Sequence, residues 1–136
     1  MNRHPYLRAY MAGIVVPTMF LLVLLGVYVG ARVIHNFPTP VERVIAFPMA
    51  VVPNLWGLWN IVWVASFRRR ISLGAHGAIL PLVLGPLGAG LWRLMDVEIP
   101  AAFVSIAPLA FPVAVIVYYL AWKYIVGFLN DLLGVG

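Results

Sequence analysis

The stretch MAGIVVPTMFLLVLLGVYVGA, Met11–Ala31, contains no charged residue. A helix rises 1.5 Å per residue, so about 20 apolar residues cross the hydrocarbon of a bilayer. This run is long enough to do so, and it continues to Ile34. Three further runs repeat the pattern: Val44–Phe67, Gly74–Leu91 and Ala101–Phe128. The four together hold two formal charges, Arg32 and Lys123, each near the end of its run. The reading is an all-α integral membrane protein, a bundle of four transmembrane helices in one domain spanning residues 1–136.

Composition supports that solvent. The chain has 136 residues, 64% of them hydrophobic, a mean hydropathy of +1.01 and only 10% charged residues. A soluble domain would carry about 25% charged residues. Four crossings and their turns use nearly the whole chain. There is no cysteine, which excludes disulfides, thiolate catalysis and cysteine metal sites. The formal net charge is +5. In this setting the expected partner of the excess is the anionic headgroup layer rather than nucleic acid. The first run is too long for the apolar core of a signal peptide, and no A-x-A site follows it, so it reads as a retained helix.

Lys and Arg in short flanks orient the chain. With the N-terminus inside, the inner side holds Arg3, Arg8, Arg68, Arg69, Arg70 and Lys123. The outer side holds Arg32, Arg43 and Arg93. The imbalance puts both termini in the cytoplasm, in a bacterial inner membrane or its equivalent. Arg68, Arg69 and Arg70 read as a stop signal and lipid-headgroup anchor.

A faint repeat runs at an offset of 64 residues. Gly13, Pro17 and Gly26 match Gly77, Pro81 and Gly90. Ala46-Phe47-Pro48-x-Ala50-Val51 matches Ala110-Phe111-Pro112-x-Ala114-Val115. Two crossings return the chain to its starting side, so the offset predicts two parallel helical hairpins related by an axis along the membrane normal. The competing reading is chance likeness between apolar, proline-bearing helices. Proline falls inside every run, at Pro17, Pro48, Pro53, Pro81, Pro86, Pro108 and Pro112. Each removes a backbone donor and crowds the preceding turn, so kinked helices are expected. The third run carries Pro81, Gly85, Pro86, Gly88 and Gly90 and is the expected place for a broken helix.

Gly26-Val27-Tyr28-Val29-Gly30 is a GxxxG, and Gly85-x-x-x-Ala89 and Gly74-x-x-x-Ala78 share its spacing. Small residues one turn apart let backbones approach closely, within the chain or between copies. Trp56, Trp59, Asn60 and Trp63 lie at i, i+3, i+4 and i+7, on one helical face. They read as a packed aromatic seam with one polar clamp, or as a pocket wall. Asn54 follows Pro53 on the other face, where it is placed to repair the backbone. His76 is a lone ionisable group at membrane depth and joins the seam as a candidate. His35, Asp96 and Glu98 are weak metal candidates at the outer face, with Glu42 beside them. No HExxH or histidine pair at helical spacing supports them.

No Asp or Glu lies in a run core, and no nucleophile–base set or phosphate loop is present. No cofactor is implied. The functional expectation is a non-catalytic membrane protein that acts by transmembrane helix association, as a self-oligomer or an accessory subunit of a larger membrane complex. The alternatives are a passive channel or uniporter for a small solute or ion, and a membrane enzyme or metal protein using the outer His and carboxylates.

Overall fold

The computed structural model describes residues 4–36, 46–94, 96 and 101–136. All regular structure among them is helical. Helix α1 is Pro5–His35. The second helix opens with a π-helical segment, Ala46–Val51, continues as α2, Val52–Val62, and ends in a second π segment, Trp63–Phe67. Helix α3 is Leu73–Leu94. The fourth helix is α4, Ala101–Leu120, then a π segment, Ala121–Val126, then α5, Gly127–Leu132. Four helical stretches are long and apolar enough to cross a membrane: Pro5–His35, Met49–Phe67, Leu73–Leu94 and Val104–Leu132.

The ends of these helices have local causes. The sequence places the first start at Met11, whereas α1 begins at Pro5, a residue whose fixed φ suits the first helical turn. It stops at Asn36, which takes a left-handed φ of 50° that asparagine tolerates. Arg32 and His35 occupy its last turn, where the helix dipole favours positive charge. Ser72 caps α3: its Oγ accepts the amide of Ala75 at 3.3 Å. The fourth helix passes Phe128 and closes in a Schellman motif at Gly134, whose φ is 69°. There the Val135 amide reaches the Asn130 carbonyl at 2.8 Å and the Gly134 amide reaches the Asp131 carbonyl at 3.0 Å. The break expected in the third run does not occur. Leu73–Leu94 is one continuous helix with Pro81 and Pro86 inside it. Its i→i−4 ladder tolerates the missing donors without losing the helical path.

Packing is concentrated at one end. That end holds the start of α1, the Arg68–Arg70 turn and the C-terminal residues. Arg8 Nη1 donates to the Leu133 carbonyl at 3.3 Å, and Arg68 donates to the Gly136 carbonyl. Every buried residue of α1 lies between Ala9 and Leu21. In α3 they lie between Gly74 and Leu84. Among the described residues of the fourth helix the first buried one is Trp122. No residue described in 22–36, 85–94 or 104–121 is buried.

Glycine decides the two tightest crossings. A Cβ at Gly13 would lie 2.6 Å from the Trp56 carbonyl oxygen and 2.8 Å from the Gly57 Cα. At Gly57 it would lie 2.5 Å from the Tyr10 ring. So the first two helices touch backbone to backbone. At Gly77 a Cβ would overlap the indole of Trp122, and at Gly74 it would lie 2.9 Å from the Tyr119 ring. The third helix therefore packs its Gly74 and Gly77 backbone against the Tyr119 and Trp122 side chains of the fourth. The apolar centre is Trp56, Leu80, Leu84, Trp122 and Val126.

Candidate functional site

The polar and aromatic residues singled out in the second helix converge with His76 in the packed half. Trp56, Asn60 and Trp63 are buried, and Trp59 is half-buried. The helical spacing puts their side chains on the face turned toward the other three helices.

Asn60 is fully buried and makes three hydrogen bonds within the bundle. Its Nδ2 donates to the Ala9 carbonyl of α1 at 2.7 Å and to Asn130 Oδ1 of α5 at 2.7 Å. Asn130 Nδ2 returns the bond to Asn60 Oδ1 at 3.1 Å. Both asparagines have zero exposure. Three helices are thereby tied at one point. A bond of this kind between apolar helices contributes about 0.6–2 kcal/mol.

A second reciprocal pair joins the second helix to α3. Trp59 Nε1 donates to the His76 carbonyl at 2.9 Å. His76 Nε2 lies 3.0 Å from the Trp59 carbonyl. A carbonyl only accepts, so Nε2 carries the proton of this imidazole. The two rings stack at 4.8 Å with planes 21° apart. Phe67 lies 5.7 Å from the imidazole and Trp122 approaches it edge-on at 6.0 Å. His76 thus meets three aromatic side chains: Trp59 of α2, Phe67 of the π segment that follows α2, and Trp122 of the π segment in the fourth helix.

The remaining indoles divide sharply. Trp63 Nε1 donates to the Ile71 carbonyl at 3.1 Å and fastens the turn after the second helix. Trp56 Nε1 donates to the Tyr118 hydroxyl at 3.4 Å, with the rings 4.9 Å apart. Trp56 and Trp122 lie 5.2 Å apart at 36°. Trp122 Nε1 is the exception: among the described residues it is a buried donor with no hydrogen-bond partner. Asn54, on the exposed face, donates to the Ala50 carbonyl at 2.6 Å and accepts from the Tyr10 hydroxyl. Pro53 cannot donate an amide, and this side-chain bond supplies one nearby.

The other candidates lie apart. A Cβ at Gly26 or Gly30 would meet nothing within 4 Å. Gly85 and Ala89 are exposed, and Gly85 has only an ordinary contact with Phe111 at 3.7 Å. Arg68, Arg69 and Arg70 are exposed in the turn after the second helix. His35 and Asp96 are exposed, and Glu42 and Glu98 lie outside the described residues. No group of three metal-binding side chains forms among the described residues.

Asn130, Tyr118 and Trp122 complete the seam, and sequence reasoning missed all three. The fourth run, Ala101–Phe128, stops two positions short of Asn130. A polar residue two positions beyond an apolar run is the available signal. No protein-family model matches the chain, and no curated protein or solved structure is similar to it.

Proposed function

We propose that this chain is an integral membrane protein of four proline-kinked crossings, without catalytic machinery, that works by transmembrane helix association. It does so as a self-oligomer, or as an accessory subunit of a larger membrane complex. The observation that carries this reading is the unequal use of small residues. Gly13, Gly57, Gly74 and Gly77 are consumed by crossings inside the chain. Gly26 and Gly30 are not, and they lie in a half of α1 where no residue is buried. Exposed apolar side chains surround them, among them Val23, Val27, Val33 and Ile34. A GxxxG whose two glycines meet no described residue of their own chain is available to another helix.

The two-hairpin arrangement belongs to this reading. Its support is that matched positions share an environment. Gly13 and Gly77 both sit at a tight crossing, Pro17 and Pro81 are both buried, and Gly26 and Gly90 both face open space. Both termini are taken to be cytoplasmic, in a bacterial inner membrane or its equivalent, on the weight of Arg8, Arg68, Arg69, Arg70 and Lys123. Anionic headgroups at that face are the lipid partner. A passive channel has less support, because Asn60 and Asn130 are fully buried and bonded to one another.

The test is Gly30→Leu, read by native mass in mild detergent. Dissociation of the wild-type assembly supports the reading. An unchanged mass removes its main support.

A further inference from the structure

We propose that the groove at Arg69 and Arg70 seats the phosphate of one anionic phospholipid. This rests on the membrane reading above and names a specific partner and its seat. The groove has a volume of about 350 Å³ and is lined by Val64, Ala65, Ser66, Arg68, Arg69 and Arg70. It carries three formal positive charges, and no acidic side chain lines it. Arg68 is already directed to the Gly136 carbonyl. Arg69 and Arg70 are exposed, with the hydroxyl of Ser66 beside them.

A guanidinium offers a planar fork of donors that matches phosphate oxygens. The backbone gives no help here, because a helix C-terminus is a partial negative charge. Attraction for an anion must come from the side chains. Below the cations the helix stays apolar and open. Leu58, Val62 and Ala65 are exposed and recur at steps of four and three, which aligns them on one face leading to Arg69. An acyl chain covers such a strip while its phosphate sits among the arginines. A free phosphate would leave the strip bare, so the chemistry selects the amphiphile.

The experiment is native mass spectrometry of the full chain from mild detergent, with three arms. One adds phosphatidylglycerol, one adds phosphatidylcholine with the same chains, and one adds excess inorganic phosphate to the phosphatidylglycerol complex. Wild type is expected to retain one phosphatidylglycerol under conditions that strip phosphatidylcholine, and phosphate is expected not to displace it. Arg69→Gln with Arg70→Gln should weaken retention about 30-fold, roughly fivefold for each cation. Arg32→Gln with Arg93→Gln removes the same charge at the opposite end and should leave retention unchanged. Arg69→Lys with Arg70→Lys keeps the charge but loses the planar fork, so it should recover only part of the affinity, and circular dichroism checks that each variant is helical. Equal retention by wild type and the Arg69/Arg70 glutamine variant overturns the site. Displacement by phosphate makes it a soluble-anion site and overturns the lipid assignment. A wild-type chain that is monodisperse without amphiphile defeats the membrane reading itself, and that result appears before any lipid is added.

Discussion

Asn60 and Asn130 bond to each other twice, each amide donating to the other's oxygen, across the boundary between the second and fourth helices. Neither side chain is exposed to solvent. The pair is self-contained apart from the extra bond to the Ala9 carbonyl. Buried amides joined this way resist separate replacement.

Asn60→Leu or Asn130→Leu leaves the surviving amide buried without its partner. Each single change is expected to cost about 1–3 kcal/mol of stability. The double variant removes both polar groups and should cost less than the sum. Unfolding of the detergent-solubilised protein, followed by circular dichroism, measures all three. Additive losses would mean that the two side chains do not act as a pair.

Glycine substitutions should separate by position. Gly13→Ala and Gly77→Ala force a methyl into the Trp56–Gly57 backbone and the Trp122 indole. Overpacking of this kind costs about 1–3 kcal/mol. Gly90→Ala meets open space and replaces a poor helix former, so it should be neutral or stabilising by up to about 1 kcal/mol. Melting temperatures that rank the three alike would contradict the crossings described.

His76 combines a ring stack with a hydrogen bond, and two substitutions divide them. His76→Phe keeps an aromatic ring against Trp59 but loses the donor to its carbonyl. His76→Leu loses both. Stability should fall in the order wild type, Phe, Leu, with the first step about 0.6–2 kcal/mol. A leucine variant as stable as wild type would show that neither contact matters.

The chain contains no cysteine, so single-cysteine labelling needs no altered background. With the termini inside, Ser66→Cys and Ser72→Cys should react with an impermeant thiol reagent only when the inner face is open. His35→Cys and Asp96→Cys should react from the outside of intact cells. Labelling of Ser72→Cys and Asp96→Cys from the same side would refute the four-crossing topology.

Much of the helix plan was legible because apolar length is additive along the chain: Met11–Ala31 announces a helix without help from any neighbour. The convergence of Trp56, Asn60 and Trp63 was legible for a similar reason, since helical periodicity alone sets a common face. What faces them was not. Asn130 comes from a distant helix, and only the crossing geometry brings it to Asn60. The functional glycines of the crossings were equally hidden. The small-xxx-small spacing points to Gly26, Gly30 and Gly74, of which only Gly74 makes a close approach, whereas Gly13, Gly57 and Gly77 touch a neighbouring helix and belong to none of those pairs. A small residue reports that a close approach is allowed, not that it happens. Pro81 and Pro86 misled in the opposite direction. They suggested a broken helix where α3 is continuous, because one missing donor does not overcome the bonds on either side.

The one-sided packing has a mechanical consequence. The first and third helices are packed near the Gly13 and Gly77 crossings, and no described residue of 22–36 or 85–94 is buried. From Gly13 to His35 the arm is roughly 33 Å, so a tilt of about 5° at the pivot swings the tip by about 3 Å. A tilt too small to loosen the indoles becomes a sizeable displacement at the far end of the helix.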